Sequence, residues 1–176
     1  MFKFEKVSRF KDVDLEMPTR ATKDSAGYDL IAAEDIVIEP YNVLRKQLLN
    51  VPVEEPLTLA EVAMITKHEK VKPTLVSTGM KCQIPEGYYL QLSLRSSTPL
   101  KHWIIKANGV GIIDADYYNN PDNEGEIFFQ LINLFPYAIQ IKKGDKIGQG
   151  ILLPYITTED DEATETRSGG FGSTSK

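Results

Sequence analysis

Cysteine is nearly missing from this chain: Cys82 stands alone among 176 residues. One thiol closes no internal disulfide, so stability must come from the core, and such usage fits a reducing, cytoplasmic setting. Histidine is almost as scarce, with only His68 and His102, both read as surface residues. Two histidines and one cysteine complete no zinc ligand set, which excludes a zinc-dependent deaminase, and no Ser-His-Asp arrangement emerges. Long apolar runs are absent too: none nears the ~18 residues a bilayer span needs, so no membrane partner is expected. Met1–Val7 lacks the apolar centre of a secretory signal. Positive charge is in deficit, with 20 Lys and Arg against 25 Asp and Glu for a net −5. That balance speaks against nucleic acid gripped through its phosphates. A polyanionic ligand must therefore be held by a local device.

What remains is ordinary globular material: 41% hydrophobic residues in a length suited to one compact domain. Most of it reads as strand. Val37-Ile38, Tyr88–Leu94, Trp103–Ile105, Gly125–Asn133, Tyr137–Ile141 and Gln149–Leu153 are short, β-branched or aromatic, and partly alternating. Turn signals at Ile84–Gly87, Asn119–Asn123, Leu134–Pro136 and Lys142–Asp145 separate them. The spacing predicts an all-β barrel or sandwich. One stretch departs from it. Leu57–Glu69 places Leu57, Ala60 and Met64 at helical intervals, and Thr58 with Glu61 makes a capping box, so a short helix covering a barrel edge is expected. Past Ile156 the composition changes. Glu159–Glu165 is acidic and a Gly/Ser-rich stretch follows from Arg167, which reads as a solvated arm.

Five short groups have the residue types that chemistry needs. Asp29 follows Gly27-Tyr28 at the start of a strand, as a turn acid or a functional one. Arg95-Ser96-Ser97-Thr98 ends a strand with a cation and three hydroxyls, either a polar turn or a set of donors for phosphate. Asn108–Tyr117 suggests a hairpin whose glycines let backbone approach a flat ligand. There Asp114 follows Ile112 and Ile113, an apolar flank that makes a carboxylate a usable base. Tyr117 offers a ring face to a ligand or packs in the core. Lys142–Gln149 runs from a turn into a strand that carries one amide, Gln149. Gly169–Thr174 is glycine-rich but lacks the lysine and the helix of a nucleotide-binding P-loop. It makes better sense as a lid, with Phe171 stacking on a base.

Together and in this order, the five groups resemble the trimeric dUTPase family, the dUTP nucleotidohydrolases. The match runs from Ala26–Leu30 through Arg95–Ser97, Gly111–Tyr117 and Gly144–Gln149 to Gly170–Thr174. The resemblance implies a jelly-roll-like β-barrel of the β-clip kind over residues 1–158, with an inserted helix, and a mobile arm over 159–176. It implies a homotrimer in which neighbouring subunits share each active site. In that reading Asp114 is the general base that activates water for attack on the α-phosphorus of dUTP. Asp29 holds waters around a Mg²⁺ on the three phosphates. Arg95, Ser96, Ser97 and Gln149 contact phosphate oxygens. Asn108 with the backbone at Gly111 and Ile113 reads the uracil edge, and Tyr117 packs under the deoxyribose. Arg167, Phe171, Gly172, Ser173 and Thr174 form the closing arm. The products are dUMP and pyrophosphate, which limits uracil incorporation into DNA and supplies dUMP for thymidylate.

This chain departs from the family pattern in an insertion at about 43–72, a longer turn at 119–124, an arm with four steps from Arg167 to Phe171 where the usual pattern has five, and Ser97 where Gly is common. The insertion is the natural place for a regulatory protein partner. The related dCTP deaminases resemble the chain around Ile127–Asn133, but they use a catalytic Glu where Gln130 stands here. A neutral amide cannot shuttle the proton that deamination requires.

Overall fold

The computed structural model describes residues 1–49 and 56–164. The chain begins with β1 (Lys3–Lys6), β2 (Thr19–Arg20), β3 (Tyr28–Ile31) and β4 (Ile36–Ile38), then α1 (Tyr41–Leu49) and α2 (Leu59–His68). Next come β5 (Thr74–Ser77), β6 (Met80–Gln83), β7 (Tyr88–Ser93) and α3 (Ser97–His102). The remainder is β8 (Ile104–Lys106), β9 (Gly111–Ile113), β10 (Phe128–Asn133), β11 (Ile139–Ile141) and β12 (Lys146–Pro154). The all-β class expected from the spacing of strand and turn signals holds. The strands form antiparallel sheets: five strands in the order β2-β3-β12-β7-β9, three in the order β5-β10-β8, and the pairs β1-β6 and β4-β11.

Alternation builds the core. In β7 Leu90 and Leu92 point inward, and in β10 Phe129 and Leu131 do the same; all four are buried. Sheets meet where Gly148 leaves room: a side chain on β12 there would collide with the Phe129 ring of β10. Leu30, Ile38, Val76, Met80 and Ile127 complete the apolar interior. Burial of this kind is worth about 1.5–3 kcal/mol for each large side chain.

Helix α2 carries the expected capping box, with Glu61 N donating to Thr58 Oγ1 at 3.3 Å and Thr58 N to Glu61 Oε2 at 2.8 Å. It does not cover an edge as expected. None of its residues is buried, and Leu59 and Met64 are 90% and 65% exposed. Ile65 and Thr66 are half-buried, and Val71 beyond the end of the helix is buried. Helix α1 lies in the same insertion and was not anticipated, although Leu44 and Leu48 stand one turn apart. Helix α3 begins inside the Arg95–Thr98 group, with Thr98 N donating to Arg95 O at 3.0 Å. The expected hairpin at Asn108 is also different: β8 pairs with β10, whereas β9 pairs with β7. The turn through Gly109 (φ +60°) crosses from one sheet to the other and leaves a hollow between them.

Candidate active site

That hollow is a cavity of about 190 Å³ between the end of β9 and the outer face of β10. Its wall includes Asn108, Gly111, Ile113, Asp114 and Tyr117, the whole set expected of the third group, together with Gln130 from β10. Gly111 is required for space and not for conformation, because a Cβ there would lie 2.7 Å from Lys106 Nζ and 3.2 Å from Leu92 Cβ. Asp114 is half-buried, and its carbonyl accepts from Tyr117 N at 3.1 Å, which starts a single turn of 3-10 helix. Ile113 shares the half-buried flank, whereas Ile112 turns outward and is 51% exposed. Tyr117 is both a buried core residue and part of the cavity wall. Its hydroxyl donates to Glu126 O at 3.1 Å and accepts from Asn123 Nδ2 at 2.7 Å. The lengthened turn thus holds the ring in place.

Glu126 anchors this wall from behind. Its buried carboxylate takes Arg9 at 3.1 and 2.7 Å and also accepts from Ser77 Oγ. Sequence reading passed over it as one acid in a strand. The Glu-Ile-Phe-Phe pattern at the strand start is the signal that one acid must point inward.

A second cluster forms where β3, β12 and β7 lie side by side. Asp29, Gln149 and Ser93 face each other across the register. The Asp29 carboxylate, 10% exposed, meets Lys146 Nζ at 2.7 Å and Arg95 Nε at 3.4 Å. Lys146 reaches it because β12 bulges: the register slips between Lys146 and Gly148 and moves Lys146 onto the face of Asp29. Gln149 lies over Gly27, where any side chain would strike its amide. Arg95 and Ser97 line a neighbouring cavity of about 470 Å³ with Lys146 and His102. Ser96 stands exposed at the start of α3.

The two clusters are far apart in one chain. Asp114 falls opposite Tyr89, and Asp29 lies three strands away level with Ser93, so strand spacings put them roughly 20 Å apart.

Residues 56–175 match the family model described as dUTPase. The chain belongs to the dUTPase family. It is 35% identical over 173 residues to the deoxyuridine 5'-triphosphate nucleotidohydrolase of Lactococcus lactis, covering 97% of this chain and 95% of the relative. The enzyme of that name from Caulobacter vibrioides is 33% identical over 175 residues, covering 94% and 92%. Among solved structures, the dUTPase of Streptococcus mutans superposes with a TM-score of 0.68 at 32% identity, covering 89% of this chain and 98% of that one. A dUTPase mutant from phage phi11 of S. aureus, described with a structural Mg(II) ion, shares the fold at a TM-score of 0.61 and 22% identity, over 94% and 97% of the two chains. This dUTPase is accordingly an enzyme that acts on dUTP. Arg167, Phe171, Gly172, Ser173 and Thr174 of the expected arm lie outside the described residues. No helix among the described residues is long and apolar enough to cross a membrane.

Proposed function

We propose that the chain converts dUTP and water into dUMP and pyrophosphate, with Asp114 as general base and active sites shared between the subunits of a cytoplasmic homotrimer. The observation that carries this reading is the single cavity in which Asn108, Gly111, Ile113, Asp114 and Tyr117 converge. Asp114 accepts a proton from water as its oxygen bonds to the α-phosphorus, and the bond from that phosphorus to the bridging oxygen breaks to release pyrophosphate. Asn108 and the Gly111–Ile113 backbone grip a pyrimidine edge, and Tyr117 lies against the sugar. Arg95, Ser96, Ser97 and Gln149 supply donors to phosphate oxygens, and Arg167, Phe171, Gly172, Ser173 and Thr174 close over them.

Reaction at phosphorus needs its groups within about 3–3.5 Å of each other, so one chain cannot bring Asp29 and Asp114 to one substrate across roughly 20 Å. A site made from two copies removes the conflict. The donor set also fits Mg²⁺. Asp29 is one carboxylate between two cations, and among the described residues no three acids, histidines or cysteines gather as a ligand set. An ion that keeps its waters and takes phosphate oxygens suits such a site. When bound, it supplies charge neutralisation to the triphosphate.

Pyrophosphate release from dUTP, dTTP, dCTP and UTP, with and without Mg²⁺, tests this reading. Turnover is expected for dUTP with the metal and hardly at all for the others. Asp114→Asn should lower kcat by about 10²–10⁴-fold and leave dUMP affinity nearly unchanged; a fully active variant rules out Asp114 as the base. A regulatory role on top of catalysis is favoured by α2, whose apolar Leu59 and Met64 face solvent. Phage dUTPases that share the fold are described as controlling transfer of virulence genes. Deleting residues 57–69 should spare turnover and remove partner binding.

A further inference from the structure

The lengthened turn at 119–124 folds back on Tyr117, and Asn123 is its residue that meets the ring. Tyr117 is pinned at two places. At the backbone, its N–H donates to Asp114 O and its carbonyl accepts from Asn120 N, both at 3.1 Å. Gly125 lies so close that any side chain there would strike Tyr117 O. At the far end of the ring, the hydroxyl gives its proton to Glu126 O at 3.1 Å and takes one from Asn123 Nδ2 at 2.7 Å. The Asn123 amide is oriented for this, because its Oδ1 accepts from Gly125 N at 3.1 Å. Asn123 itself does not line the inner cavity. It is half-buried on the other side of the ring, in the wall of an outer hollow shared with Arg9 and Glu124.

The turn is held in a costly shape. Asn119 N donates to Glu124 O at 3.1 Å, and both residues take the left-handed conformation, at φ +59° and +58°. A glutamate seldom adopts it, and such residues persist where surrounding contacts over-determine the chain, often at functional sites. Glu124 is fixed by Ser8 N and Ser8 Oγ at 3.1 and 2.9 Å. A turn that only joins two segments needs neither this strain nor an amide aimed at a ring.

We propose that Asn123 is a positioning residue for sugar selection, locking the Tyr117 ring so that its face cannot withdraw from a 2′-hydroxyl. The inference rests on the reading of Tyr117 as the neighbour of the sugar. The one proton of the Tyr117 hydroxyl is committed to Glu126 O, so the sugar meets an apolar ring face. An added 2′-hydroxyl against that face loses its water and gains no partner. An apolar pocket by itself rejects an extra hydroxyl by only about a hundredfold. A ring held at both ends adds a steric barrier, because it cannot shift to make room.

Asn123→Asp keeps the size of the side chain and an acceptor for Gly125 N, and removes the proton offered to Tyr117. Its charge acts alike on two triphosphates of equal charge and cancels in a ratio. The ratio of kcat/KM for dUTP to that for UTP should fall roughly tenfold, with kcat/KM for dUTP within about threefold of wild type. Tyr117→Phe removes the same bond from the other side and should lower the ratio at least as far. Adding Asn123→Asp to Tyr117→Phe should then lower it no further. A merely structural role would slow both substrates alike and leave the ratio alone. An unchanged ratio in Asn123→Asp overturns the inference, and so does a further drop in the double variant. If Asn123→Asp does not fold, Tyr117→Phe decides: a lowered ratio supports the inference and an unchanged one overturns it. Wild-type protein that splits UTP as readily as dUTP removes the sugar reading of Tyr117 itself, which is a separate failure.

Discussion

Lys106 has a signature in stability. Its amine titrates at about 8 in the folded chain because burial disfavours the charge, against 10.5 ordinarily. Between those values the unfolded chain holds a proton that the folded chain has released, so this group makes stability rise with pH across that window. The charged residues on the wall of the adjoining cavity are Asp114 and Glu126. Urea titrations at pH 7.5 and 10 should show that rise in wild type and its loss in Lys106→Met, read as the difference between the two proteins. Cys82 is the opposite case of an inert group: burial raises its thiol to about 12, so a thiol reagent should leave it unmodified until the chain unfolds. Glu126→Ala strands Arg9 and Ser77 and should cost about 2 kcal/mol in urea unfolding, less than a fully buried pair because Arg9 is half-exposed. That Asp114, Gly111 and Tyr117 would lie together was legible in the sequence because they are close neighbours along the chain. Lys106 and Lys146 were not. One lies against a glycine of the neighbouring sheet, and the other meets an acid 117 residues away.

At the level of elements, alternation in β7 and β10 announced their inner faces, and the Thr58–Glu61 box announced the start of α2. Replacing Thr58 with Ala should remove about 1 kcal/mol of local helix stability. Because no residue of α2 is fully buried, hydrogen exchange should quicken within it while the global unfolding midpoint stays put. Two elements hid from any pattern. The slip in β12 is invisible in Lys146–Gln149, since only the pairing with β3 shows that Ile147 is the extra residue. The crossing at Asn108 reads like a hairpin turn, and only the competition of β7 and β10 for its two arms makes it a bridge between sheets.

For the whole molecule, the proposal of shared sites makes a prediction that no single-chain site can meet. Asp114→Asn and an Asp29→Asn variant should each be nearly inactive. Refolded together in equal amounts, they should regain activity in roughly a quarter of sites, those that draw one intact residue from each of two copies. A mixture as inactive as its parts means that each chain works alone. The N-terminal segment belongs to the same large-scale design. Ser8 holds Glu124, Arg9 holds Glu126 and Glu5 holds Tyr118, so the first ten residues clamp the turn that positions Tyr117. Asp29 and its partner Lys146 add a time scale. On the ribosome the acid emerges 117 residues before the lysine that will neutralise it, an interval of roughly ten seconds at ordinary synthesis rates. Through that interval β3 also lacks β12, and a strand edge bearing a bare carboxylate is a poor template for stray pairing. The acid that is read as serving catalysis would first serve as a guard on the nascent chain.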